Sequence, residues 1–261
     1  MLNVLRKPWY TSLVIFTIWQ IVLLGGAFLQ FEGHHISLSQ MVKNHIVFGI
    51  LVATVFLPGA ITYLQWWPQV GWKGPANLMD LRLLLPPAML LLFMLSYVLF
   101  TGLPPTQVLV FVIINTLMVG ISEELMCRGI VFYGASSSFG IWRAVWITAI
   151  IFGSVHILNG FITGDFVGST VQALFACMFG FWMVALRVRL DTIIPGIVIH
   201  WVWDCLAFMT NPQGGLVLLV FEFVLFFYGL WLLRNYIPPK YQIRYKVKKI
   251  AIRFFEWITY I

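Results

Sequence analysis

An ionisable side chain inside a bilayer costs several kcal/mol, so acids, bases and imidazoles that interrupt apolar runs are functional candidates by default. The sequence carries such a set: Ser122, Glu123, Glu124 and Arg128 in one run, His156 in the next, His200 and Asp204 two runs later, and Glu222 in the last. Glu124 and Arg128 stand four residues apart with the acid first, which puts them on one helix face in the favourable order for an ion pair. Glu123 is turned about 100° from Glu124 in a regular helix and has no obvious partner on its own helix. An unpaired carboxylate in apolar surroundings suits general acid–base work, which makes Glu123 the first catalytic candidate. His200 and Asp204 share a face by the same four-residue spacing, as do Phe152 and His156. One Glu, two His and one Asp from three helices can therefore meet in a dry cavity. Each of these residues alone could be interhelical glue, worth about 0.6–2 kcal/mol per bond, but packing does not require the whole set. Glu222, isolated on its run, is expected to partner a neighbouring helix or mark an interface. His34, His35 and His45 fall in or beside the first outer loop and read as solvated surface.

The elements that must position these groups follow from composition. Of 261 residues, 61% are hydrophobic and 10% charged, with mean hydropathy +0.93, against about 45–50% and 25% in soluble domains. The expected fold is all-α: a polytopic membrane protein whose transmembrane helices enclose a polar intramembrane cavity. Eight runs approach the about 20 apolar residues that a span needs, at 10–30, 45–66, 83–101, 107–134, 141–158, 166–186, 192–210 and 216–233. The charges test that count. With the N-terminus in the cytoplasm, Arg6, Lys7, Lys73, Arg82, Arg143, Arg187, Arg189, Arg234 and every tail cation from Lys240 to Arg253 fall inside; Arg128 lies within a span and Lys43 alone falls outside. This is the positive-inside pattern, with both termini cytoplasmic, so the net charge of +7 reads as orientation and not as a nucleic-acid footprint. The chain divides into a three-helix segment (1–101), a core carrying the motifs (102–212), and a last helix with a basic tail (213–261). The tail alternates basic and apolar residues, which suits contact with an anionic lipid surface. Pro58, the Pro86–Pro87 pair and Pro195 are expected to break their helices. Cys127, Cys177 and Cys205 all lie in apolar stretches and offer no disulfide framework. The first run lacks a cleavage site and reads as a span, not a removed signal peptide.

The motifs ISEELMCRG (121–129), FGSVH (152–156) and HWVWD (200–204) resemble the EExxxR, FxxxH and HxxxN/D motifs of the CPBP family, also called Abi, which comprises CAAX prenyl endopeptidases and bacteriocin-processing enzymes. The resemblance covers about 122–210. It implies that Glu123 and His156 activate a water, that His200 and Asp204 hold the oxyanion, and that Glu124 and Arg128 form a structural pair, with Phe152 beneath His156. The prenyl endopeptidases have Asn at the position of Asp204. An ionised Asp would repel an oxyanion, so Asp204 is expected to orient His200 instead.

Glu123, His156 and His200 also match the donor set of a catalytic zinc with one open position, although no HExxH is present and the two imidazoles come from different helices. The leading expectation is an intramembrane endopeptidase of a bacterial plasma membrane, with a cavity reached from the cytoplasm. Its substrate would be a lipidated protein, a bacteriocin or pheromone precursor, or another membrane-anchored peptide. The competing readings are a catalytically silent immunity or scaffold protein of the same fold and a proton-coupled carrier; no internal repeat supports the latter. Neither GxSG nor GxGD occurs in a span, which excludes the rhomboid and presenilin patterns.

Overall fold

A computed structural model describes residues 7–210, 215–234 and 236, with the backbone alone for 215–219. Every element in them is helical: α1 (Pro8–Gln30), α2 (Leu38–Asn44), α3 (Phe48–Leu64), α4 (Trp67–Val70), a 3-10 turn (Leu78–Leu84), α5 (Leu85–Thr101), α6 (Thr106–Glu123), a π-helical stretch (Glu124–Val131), α7 (Phe132–Phe139), α8 (Ile141–Val155), a 3-10 turn (His156–Leu158), α9 (Asn159–Thr163), α10 (Phe166–Leu190), α11 (Ile194–Met209) and α12 (Gly215–Arg234).

Five helical stretches are long and apolar enough to cross a membrane, and six if α2 and α3, bent by 78°, make one span. The chain is an integral membrane protein. The sequence expectation of eight spans is not reached on these criteria. The seventh run forms α11, whose 16 residues fall short of the about 20 that a bilayer core demands. The eighth forms α12, whose first turn lies outside the residues with described side chains. The basic tail from Lys240 also lies outside the described residues.

The prolines act differently from expectation. Pro86 and Pro87 occupy the first turn of α5, and Pro195 the first turn of α11, where a missing N–H leaves no intrahelical bond unmade. Pro195 begins its helix, Pro86 and Pro87 mark the change from 3-10 to α winding within the stretch Leu78–Thr101, and Pro58 lies inside α3. The bend between α2 and α3 has its own support. Ser37 caps α2 in a reciprocal box with Gln40, and the buried Asn115 side chain on α6 accepts from Val47 N at 3.0 Å while donating to Val42 O at 2.9 Å and His45 O at 2.6 Å. An orphaned backbone group in a membrane interior costs several kcal/mol. Asn115 supplies the partners that the broken helix lacks.

Close helix approach sets the position of the polar residues. A Cβ at Gly120 would lie 3.1 Å from Ile197 O and Trp201 N, so glycine lets α6 and α11 touch backbone to backbone one turn before Glu123 and near His200. A Cβ at Gly153 would lie 2.6 Å from Ala173 O, and the same logic joins α8 to α10 beside Phe152. Below these crossings the bundle is solid. Leu125, Ile130, Trp182, Leu186 and Leu190 are each 2% exposed or less.

Candidate active site

The polar residues of α6, the π stretch and α11 converge on the His200 ring, which is buried between Phe179 and Phe152 with ring centroids 5.0 and 6.0 Å away. Its Nδ1 lies 2.8 Å from Glu124 Oε1; its Nε2 lies 3.7 Å from Glu123 Oε2 and 3.5 Å from Asp204 Oδ2. Two glutamates adjacent in sequence thus reach one imidazole. A regular helix turns adjacent residues about 100° apart, and at the passage into i→i+5 winding the two meet different edges of the ring, Glu124 at Nδ1 and Glu123 at Nε2. The aligned hydrogen bond on His200 is the one donated by Nδ1 to Glu124. Asp204, expected to orient the ring, stands at a distance too long for a strong bond.

Glu124 also meets Arg128, with Nη1 3.0 Å from Oε1 and both side chains at most 1% exposed. None of the three guanidinium nitrogens has an aligned hydrogen-bond partner among the described residues. The cation is held by charge and by its stack 3.9 Å over the Phe152 ring, an arrangement that a guanidinium accepts because it is planar and weakly hydrated. Phe152 is the hub of the site: Arg128 covers one side, and its ring also touches His156 at 5.0 Å between centroids.

His156 sits where α8 passes into a 3-10 turn. Its Nδ1 is 2.8 Å from the Phe152 carbonyl oxygen. A carbonyl can only accept, so Nδ1 carries the hydrogen, and the neutral ring keeps its lone pair on Nε2. His156 makes no ion pair with Glu123; both instead line a cavity of about 340 Å³, room for several waters at about 30 Å³ each. Asp204 and His200 line it too. The rest of the cavity wall is largely apolar and aromatic, including Trp19, Phe175 and Trp203.

Glu222 also lines this cavity, and its Oε2 is buried with no hydrogen-bond partner among the described residues. Three supports escaped sequence reasoning. Trp19 Nε1 donates to Ser122 Oγ at 2.8 Å and ties α1 to the residue before Glu123. Phe179 walls His200, and Asn115 holds the α2 bend over the cavity. Asn115, a lone amide in an apolar run, was the one signal available.

Glu123, His156 and His200 do not come together as a zinc site. Among the described residues, no three His, Cys, Asp or Glu side chains are placed to hold a metal ion. His200 commits Nδ1 to Glu124 and turns Nε2 between two carboxylates, while His156 lies along another edge of Phe152. The residues present do not fit that cofactor.

Residues 105–206 match the family model described as type II CAAX prenyl endopeptidase Rce1-like. That stretch contains Glu123, Glu124, Arg128, Phe152, His156, His200 and Asp204, whereas Trp19, α2 and Glu222 lie outside it. No curated protein and no solved structure matches the chain.

Proposed function

We propose that the chain is an intramembrane endopeptidase that cleaves a lipophilic or membrane-anchored peptide with a protein-activated water. The observation that supports this most is the meeting of Glu123, His156, His200 and Asp204 around one cavity, all within the segment that matches the endopeptidase family. Glu123 is the general base. Its carboxylate takes a proton from water as the water oxygen bonds to the peptide carbonyl carbon, and passes that proton to the departing amine as the C–N bond breaks. His156, with Nδ1–H fixed on Phe152 O, accepts a hydrogen bond from the same water through Nε2. His200, with Nδ1–H given to Glu124, offers a protonated Nε2 to the oxyanion in surroundings where low dielectric strengthens the donor. Asp204 and Glu123 flank that nitrogen at 3.5 and 3.7 Å and face its N–H with negative charge. Glu124 and Arg128 position the ring and the Phe152 hub.

In this reading α11 and α12 are the seventh and eighth spans, the catalytic core is 102–212, and both termini lie in the cytoplasm of a bacterial plasma membrane. The test is cleavage of lipidated and precursor peptides by purified wild type, Glu123→Ala and His156→Ala, with and without chelator. General acid–base loss of about 10²–10⁴ in turnover is expected for each variant, with no effect of chelator. Equal turnover by all three proteins would refute the peptidase reading.

A further inference from the structure

Among the described residues, every Lys and Arg but Lys43 and the buried Arg128 lies at the end of the bundle opposite the cavity. Lys73 pairs with Asp191, Arg187 Nη2 donates to Gln69 O at 3.3 Å, and Arg189 Nη1 donates to Leu232 O at 2.7 Å. These contacts gather the loop after α4, the end of α10 and the end of α12. The start of α1 joins them through Trp9, whose ring lies 5.4 Å from that of Phe139 at the end of α7, next to the α8 start that carries Arg143. The cavity is built from the other halves of the same helices. It takes Leu23 and Ala27 from the last turns of α1, Gln172 from the first turns of α10, Phe208 from the end of α11, and Leu38 and Ile162 from α2 and α9. Of these, all but the buried Ala27 are half-buried. Towards the basic end the way is closed by the fully buried layer of Leu125, Ile130, Trp182, Leu186 and Leu190.

Cations mark the cytoplasmic side of membrane proteins. The only Lys or Arg at the cavity end among the described residues is Lys43, which shares that end with Glu32 and Asp165. We infer that the cavity opens to the extracytoplasmic side, so that its substrate is a peptide presented at the outer face of the membrane: an exported or outward-facing anchored segment and not a cytoplasmic prenylated C-terminus. This reverses the expectation of access from the cytoplasm. The reversal follows from which helix halves line the cavity, which sequence alone does not reveal.

Two features of the cavity fit such a substrate. A second cleft of about 310 Å³ shares Ala27 and Ile162 with the first and adds Leu24, Phe28 and Phe161, so an apolar anchor can lie beside a peptide in the main cavity. Among the described residues, the main cavity is lined by Glu123, Asp204 and Glu222 but by no Lys or Arg. A free C-terminal carboxylate would face three carboxyl groups there with only the His200 imidazole to receive it, whereas an internal peptide segment brings no such charge.

The substrate class rests on the peptidase reading, but the sidedness does not, and its test is separate. Ser39→Cys on α2 and Ser137→Cys on α7 are exposed positions at the two ends and outside the catalytic set. Intact cells expressing the full chain are treated with a membrane-impermeant maleimide, with the parent chain giving the background of its own three cysteines. Ser39→Cys is expected to react in intact cells as fully as after lysis, and Ser137→Cys only after lysis. The reverse pattern would overturn the inference. Should either cysteine variant fail to accumulate, an N-terminal fusion to a reporter that is active only in the cytoplasm decides the matter: an active reporter supports the inference, and an inactive one overturns it. Labelling reads orientation whether or not peptides are hydrolysed, so an inactive enzyme in the cleavage assay and a reversed topology are distinct outcomes.

Discussion

Glu124→Gln removes one charge from the most buried ion pair among the described residues while keeping the side chain's shape. The carboxylate lies 3.0 Å from Arg128 Nη1 and 2.8 Å from His200 Nδ1, with exposure of 1%. The amide oxygen of Gln can still accept from His200, so the loss falls on Arg128, which is 0% exposed and would be left without a counter-charge. Breaking a buried pair in this way costs about 3–5 kcal/mol. At about 2–4 °C per kcal/mol for a chain of this size, the unfolding midpoint in detergent should drop by about 6–20 °C, read by intrinsic fluorescence. The double variant Glu124→Gln/Arg128→Met removes both charges and sets a thioether over Phe152, and most of the loss should return. A Glu124→Gln protein that unfolds at the wild-type temperature would refute the structural assignment. If that same stable protein had lost turnover, the base would be Glu124 and not Glu123, since both carboxylates reach the same imidazole.

Glu222→Leu should raise the unfolding midpoint, because a buried carboxylate oxygen without a partner is a penalty of about 1–3 kcal/mol; a lower midpoint would mean that the carboxylate is satisfied in the folded protein. Asn115→Ala orphans Val47 N, Val42 O and His45 O and should cost about 3 kcal/mol, with faster amide exchange across α2 as the local readout. Asp191, outside the spans, is acted on first by burial, which raises its pKa, but Lys73 and Arg187 outweigh burial and hold it below the ordinary value. Its contribution is therefore present above the ordinary carboxylate range and fades as pH falls through the lowered value. Because Asp191 is half exposed, Asp191→Asn should cost only about 1 kcal/mol at pH 7, and the difference from wild type should shrink in acid.

The groups with chemistry were legible because a bilayer penalises polarity. Against so apolar a background Glu123, Glu124, Arg128, His156, His200 and Asp204 stand out singly, and helical spacing pairs Glu124 with Arg128 correctly. Spacing failed where the helix is not regular. Where the winding changes after Glu123, Glu124 meets His200 on another helix, a contact that spacing along one helix does not foresee. Proline was misread for a related reason. A sequence marks where an N–H is missing but not whether the residue begins a helix, as Pro195 does, or interrupts one, as Pro58 does.

Composition, charge and local spacing are properties of the chain alone. They determined by themselves that this protein is helical, that it lives in a membrane, where its basic residues fall along the chain, and which ionisable residues interrupt its apolar runs. Tertiary structure decided what depends on distances between helices. Among the described residues, it placed Glu222 on the cavity, kept Glu123, His156 and His200 from forming a metal site, and put the cavity at the end away from most lysines and arginines. A side chain reveals its polarity in one dimension, but which neighbours it meets is set only when glycines such as Gly120 and Gly153 let the helices close.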